Sequence, residues 1–130
     1  MNLEMLLTQA KKAMENAYAP YSGYCVGAAL LTKSGKVYLG CNIENASFSP
    51  TCCAERTAFF KAVSEGEREF AAIAVAGGKH GKVEGIFPPC GVCRQVMQEF
   101  CGPDFVICMA KEDGFEEVLL QELLPYGFSL

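Results

Sequence analysis

Residues 24–43 read YCVGAALLTKSGKVYLGCNI, and this stretch decides the fold. Two apolar runs of strand length, 24–32 and 36–43, flank the short segment Lys33-Ser34-Gly35. That arrangement predicts a β-hairpin. On its N-terminal side, Leu3, Leu6, Leu7, Ala10, Met14 and Ala17 recur at three- and four-residue steps, the spacing of an amphipathic helix. Asn2 is placed to cap that helix and Pro20 to end it. On the C-terminal side, ENASFSPT reads as a loop leading into a helix that starts near Cys53 and stops at Gly66. FAAIAVA (70–76) is a continuous apolar run, as expected of a strand buried on both faces. GGKHGKVEGIFPP (77–89) reads as a loop, followed by a helix from about Gly91 to Gly102 and a buried strand, FVICMA, over 105–110. Glu116 to Leu124 is expected to form a last helix, halted by Pro125. The order α-β-β-α-β-α-β-α predicts an α/β sandwich on a mixed sheet. The pattern does not place a further short strand.

A chain of 130 residues is expected to form one domain, 1–130. Its 51% apolar content supplies a core and leaves apolar surface to hide, which predicts a homo-oligomer. The formal charge of −4 offers no basic footprint for nucleic acid, so a small-molecule partner is expected. No stretch has the length of a membrane span, and Met1 to Lys12 does not read as a signal peptide. The expected location is the cytoplasm, where thiols stay reduced. The eight cysteines are therefore metal ligands or small buried hydrophobes rather than a disulfide framework.

Two segments carry chemistry: Cys53-Ala54-Glu55-Arg56-Thr57 and Pro88-Pro89-Cys90-Gly91-Val92-Cys93-Arg94-Gln95. A Cys-x-x-Cys pair alone fits a redox centre or half of a structural zinc site. No second such pair and no His-x-x-x-His accompanies it, and the single histidine, His80, reads as a solvated loop residue. The other reading is a catalytic zinc site with Cys53, Cys90 and Cys93 as ligands and an open fourth position. Both segments fall at expected helix starts, where the dipole and free N–H groups favour thiolates. Arg56, one helical turn from Cys53, can donate to the sulfurs or form a surface ion pair. Cys52 reads as a bystander, and Cys25, Cys41, Cys101 and Cys108 as packing.

Zinc deaminases use a three-Cys or His/Cys/Cys site with a non-ligand Glu as general acid and base, and Glu55 sits where such a carboxylate belongs. The two metal segments, with Tyr18-Ala19-Pro20-Tyr21-Ser22, Val26-Gly27-Ala28-Ala29-Leu30, Gly40-Cys41-Asn42-Ile43-Glu44-Asn45-Ala46 and Glu122-Leu123-Leu124-Pro125, resemble the small homotetrameric cytidine deaminases over essentially the whole chain. The resemblance implies a three-layer α-β-α sandwich on a mixed five-stranded sheet and one Zn2+ per subunit. It implies hydrolytic deamination of free cytidine and 2′-deoxycytidine in pyrimidine salvage, with Glu55 taking a proton from the attacking water and delivering it to N3 and the leaving amine. It also implies that Asn42 and Glu44 hold the ribose, that Ala46 offers backbone contacts to the base, and that Tyr24 packs on the pyrimidine. Phe128 matches an aromatic that reaches a neighbouring subunit's site. From the residues alone, Asn42 and Glu44 read equally as loop-capping polar groups, and Tyr24 as part of a core strand. Phe48 stands where relatives carry a tyrosine.

Three other functions compete. A deaminase of a modified nucleoside such as blasticidin S would share both metal segments, although the Asn42-Ile43-Glu44 block favours an ordinary nucleoside. A non-enzymatic structural zinc protein predicts a fourth ligand, Cys52 or Cys101. A redox role for Cys90 and Cys93 leaves Cys53 and Glu55 without one.

Overall fold

Side chains along a strand point alternately to its two faces, and in β1 (Tyr24–Thr32) both faces are buried. Ala28 and Leu30 enter one core and Ala29 the other. The computed structural model describes residues 1–130 and joins β1 to β2 (Val37–Cys41) as the expected antiparallel hairpin. The remaining elements are α1 (Leu3–Ala13), α2 (Ala54–Ser64), β3 (Phe70–Lys79), α3 (Gly91–Phe100), β4 (Val106–Lys111), β5 (Gly114–Leu119) and α4 (Leu120–Leu123). The strands form one mixed five-stranded sheet in the order β2-β1-β3-β4-β5, with only β3 and β4 parallel. α1 covers one face, packing Leu6, Leu7 and Ala10, with Met14 just beyond its end, on Ala29, Ala72, Ala74 and Cys108. On the other face Ala58 and Phe59 of α2, Met97 of α3 and Leu120 of α4 close over Leu30, Ile73, Val75 and Ile107. This is the three-layer sandwich expected. No helix is long and apolar enough to cross a membrane.

Two glycines let the helices sit close to the hairpin. A Cβ at Gly27 would lie 2.1 Å from the Ala10 carbonyl oxygen of α1. One at Gly40 would lie 2.4 Å from the Ala54 carbonyl oxygen and 2.5 Å from the Ala58 nitrogen of α2. Gly40 therefore brings the first turns of α2, which follow Cys53, down onto the sheet.

Several boundaries differ from the sequence expectation. Asn2 does cap α1, accepting from the Met5 N–H at 3.0 Å. The helix nonetheless ends at Ala13, with a 3-10 turn over Met14–Asn16, short of Ala17 and Pro20. Tyr18 is drawn into extended pairing with Ile43, its N–H donating to the Asn42 carbonyl at 2.9 Å. The same pairing, with a second bridge from Ile43 to Cys52, takes residues 42–43 out of the hairpin, so β2 stops at Cys41. β3 continues past residue 76 to Lys79. Gly77 and Gly78, read as loop, are strand because they pair with Val26 and Cys25 of β1, and they are glycines because the Phe87 ring and the Lys82 carbonyl occupy the space side chains would need.

The helix expected over 116–124 is largely strand: β5 takes residues 114–119 and only Leu120–Leu123 is helical. β4 and β5 pair across a two-residue turn at Glu112-Asp113, with Gly114 opposite Lys111 as the first residue of β5. Phe115 packs toward α1 while Val118 packs on the opposite core. An edge strand that touches a core on each face can space its apolar residues three apart, which mimics a helix.

Replacing Gly40 with Ala drives a methyl into the α2 backbone and is expected to destabilise the fold by roughly 2 kcal/mol or more. The same change at Gly35, which has open space around it but a φ of +99°, costs about 1 kcal/mol. Urea denaturation of both variants checks the ranking.

Candidate active site at two helix N-termini

Cys53 is the N-cap of α2 and Cys90 the N-cap of α3, both with extended backbone, while Cys93 lies in the first turn of α3. The prolines before Cys90 keep the chain extended up to the cap. Arg94 secures this turn from below, donating from Nε to the Pro89 carbonyl and from Nη1 to the Leu123 carbonyl, each at 2.7 Å. The three sulfurs gather within 4.8 Å, with Cys53 to Cys90 at 3.7 Å and Cys90 to Cys93 at 3.5 Å. Sulfurs held tetrahedrally on zinc by bonds of about 2.3 Å stand about 3.8 Å apart, so the donor set fits that ion. Cys93 is buried and Cys90 exposed. Neither Cys52 nor Cys101 joins them.

The charges around the sulfurs are graded. A hydrogen bond from Cys93 does most to hold the Cys53 thiol below its ordinary range; burial opposes it, and Arg56 and Cys90 reinforce it. Arg56 Nη2 donates to Cys53 Sγ at 3.3 Å, which answers whether this residue turns inward or to solvent. Its Nε is buried without a partner. Glu55, on the first turn of α2, is only 4% exposed, and burial pushes its carboxyl up to about 7. Such a group takes up and releases a proton near neutral pH.

Beside the sulfurs opens a cleft of about 270 Å³. Cys53, Cys90 and Glu55 line one part of it, and Tyr24, Asn42 and Glu44 are among its other walls. Tyr24, expected on a core strand by one reading, is 45% exposed and faces this space. No lysine, arginine or histidine lines it. His80 lies exposed in a turn, as expected. Ala46 and Phe128 do not line the cleft; Ala46 is exposed in the loop before α2, and the Phe128 carbonyl accepts from Gln95 Nε2 on α3 at 3.4 Å.

Both capping and lining roles are present in Asn42 and Glu44. Asn42 Oδ1 accepts from the Val26 N–H at 2.8 Å, and its Nδ2 donates to the Tyr24 carbonyl at 2.7 Å. Glu44 Oε1 accepts from the Tyr21 and Ser22 N–H groups at 3.0 and 3.1 Å. The cleft also recruits Ser22, Val26, Thr51 and Phe87, none of them expected at the site from sequence, and Cys52, which lines it without joining the sulfur cluster. Ser22 lay inside a quoted motif, whereas Phe87 carried no signal beyond its place before Pro88-Pro89. Its ring stands 6.0 Å from that of Tyr24, so the two aromatics share a wall.

Residues 1–109 match the model of the family described as cytidine and deoxycytidylate deaminase zinc-binding region. The chain is 51% identical over 130 residues to a cytidine deaminase of Sporosarcina psychrophila, covering 99% of this chain and 93% of that one. It is 50% identical to a cytidine deaminase of Halalkalibacterium halodurans, with 99% and 96% covered. Among solved structures, cytidine deaminase from Burkholderia pseudomallei superposes with a TM-score of 0.90 at 47% identity, covering 98% of this chain and all of the other, 100%. That from Mycobacterium tuberculosis gives 0.85 at 38% identity, with 100% and 99% covered. The sulfur cluster fits one zinc ion per subunit, in keeping with the zinc-binding region matched. With its fold, its donor set and its sequence in agreement over nearly its whole length, the chain belongs to the cytidine deaminase family.

Proposed function

We infer that this chain hydrolyses free cytidine and 2′-deoxycytidine to uridine and 2′-deoxyuridine, with release of ammonia. One observation carries the reading: a buried carboxyl, Glu55, stands at the cleft wall beside three sulfurs that fit a zinc ion. Held by Cys53, Cys90 and Cys93, zinc supplies Lewis acidity that brings the pKa of a water toward neutrality. Glu55 takes a proton from the attacking water and delivers it to N3 as C4 gains its oxygen. It then takes the second proton from that oxygen and gives it to the amine, which leaves as ammonia. Arg56 offsets the net negative charge of a three-thiolate site by donating to Cys53.

Tyr24, Asn42 and Glu44 share the cleft with Glu55, which supports their roles in packing on the pyrimidine and holding the ribose. Ala46 offers its backbone to the base, and Phe128, 64% exposed, is free to meet a neighbouring subunit. Exposed Tyr18, Tyr21 and Phe48 support a homo-oligomer, which we assign as a tetramer. Eight unpaired thiols, three of them needed as ligands, suit the reducing cytoplasm and a role in pyrimidine salvage. The chain 1–130 acts as one domain. Two acids and no cationic side chain in the cleft lining favour a nucleoside over its phosphate.

Glu55→Gln is expected to lower kcat by about 10³-fold or more while retaining one zinc per chain. Chromatography of cytidine and uridine, with metal analysis of the same sample, checks this; undiminished turnover removes Glu55 from the chemistry. Arg56→Gln should weaken zinc binding by roughly 10- to 100-fold in competition with a chromogenic chelator. Deoxycytidylate should be a poorer substrate than deoxycytidine by about tenfold or more in kcat/KM.

A further inference from the structure

We propose that Ser22 is a positioning residue that fixes Glu44 so that its carboxylate accepts from one sugar hydroxyl and no more, an inference that rests on the nucleoside reading above. Residues 19–23 make a tight turn: the Gly23 N–H donates to the Ala19 carbonyl at 3.0 Å, and Gly23 takes a φ of +76°. The turn aims the Tyr21 and Ser22 N–H groups at Glu44 Oε1, and the Ser22 hydroxyl donates to Oε2 at 2.5 Å. A carboxylate offers about four acceptor positions. Three are filled by the chain itself, which leaves a single position, on the oxygen that Ser22 orients.

The Ser22 oxygen in turn accepts from the Tyr24 N–H at 3.0 Å. It thereby joins the turn, the start of β1 and the carboxylate in one relay. Both Ser22 and Glu44 line the cleft. The hydrogen bond from Ser22, with help from the backbone, holds Glu44 below the usual carboxylate range, so it meets a ligand as an acceptor only. Asn42 is matched to it. With Oδ1 and one N–H of Nδ2 bound to β1, it keeps one N–H to donate. The pair thus presents one acceptor and one donor, the complement of a hydroxyl.

The test compares wild type and Ser22→Ala on cytidine and on 2′,3′-dideoxycytidine, which lacks both secondary hydroxyls. Losing one hydrogen bond to a charged acceptor is expected to raise KM for cytidine by about tenfold, with kcat within about twofold. For the dideoxy substrate kcat/KM should change by less than about twofold, and Ser22→Thr, which keeps the hydroxyl, should restore most of the loss. An equal loss on both substrates overturns the proposal, because Ser22 then only supports Tyr24 and the turn. A fall in kcat without a rise in KM overturns it too. Wild-type protein that turns over neither substrate removes the nucleoside reading and this inference with it, whereas an active wild type with equal losses removes this inference alone.

Discussion

The contact on which the rest of this molecule depends is backbone against backbone. At Gly27 and Gly40 the hairpin has no side chain to hold a helix away, and α1 and α2 descend on it from opposite faces. The distance between helix and sheet is therefore set by main-chain atoms and not by side chains that could repack. α2 begins one residue after Cys53, so this fixed seat also fixes the first sulfur and Glu55. α3, seated by Met97 in the same core, delivers the other two sulfurs to the same place. The chemistry of the cleft is a consequence of where two helices are allowed to start.

Electrostatics then decides what those helix starts can hold. Three thiols this close do not ionise together: the hydrogen bond that lowers Cys53 comes from Cys93, and its cost falls on Cys93, whose own thiol is pushed upward. Helix N-termini and Arg56 favour one thiolate, while three need a cation among them. Glu55 is close enough to feel that charge, yet burial is the larger influence on its proton. The site accordingly sets two kinds of group side by side, sulfurs that fit a metal and a carboxyl kept dry enough to exchange a proton near neutral pH.

Much of this was legible in the sequence because the decisive residues are local. Cys53 and Glu55 are two apart, Cys90 and Cys93 three apart, and helix caps turn such spacings directly into geometry. The hairpin and the buried strand over 70–76 were legible for the same reason. What escaped depends on partners distant in the chain. Residues 114–119 are strand because β4 lies beside them, and their apolar spacing of three reflects two cores rather than one helix face. Gly77 and Gly78 read as loop because the strand that pairs with them, β1, lies some fifty residues back in the chain. Asn42 and Glu44 presented two readings; each braces the backbone of residues 21–26, as loop-capping polar groups do, and each also borders the cleft. Phe128 and Ala46 were legible only by likeness, and a single chain does not bring them to its own cleft.

The sulfur cluster also has a meaning in terms of chain topology. Cys53 and Cys90 stand 37 residues apart, at the mouths of two different crossover segments, and their sulfurs, 3.7 Å apart, are close enough to fit one ion's coordination shell. Joined through that ion, they close a large loop and deprive the unfolded chain of the same freedom that a covalent cross-link would remove. A disulfide between them would do this only in an oxidising compartment. Metal ligation gives the protein a reversible staple that works among reduced thiols, so its resistance to unfolding and its supply of zinc are the same variable.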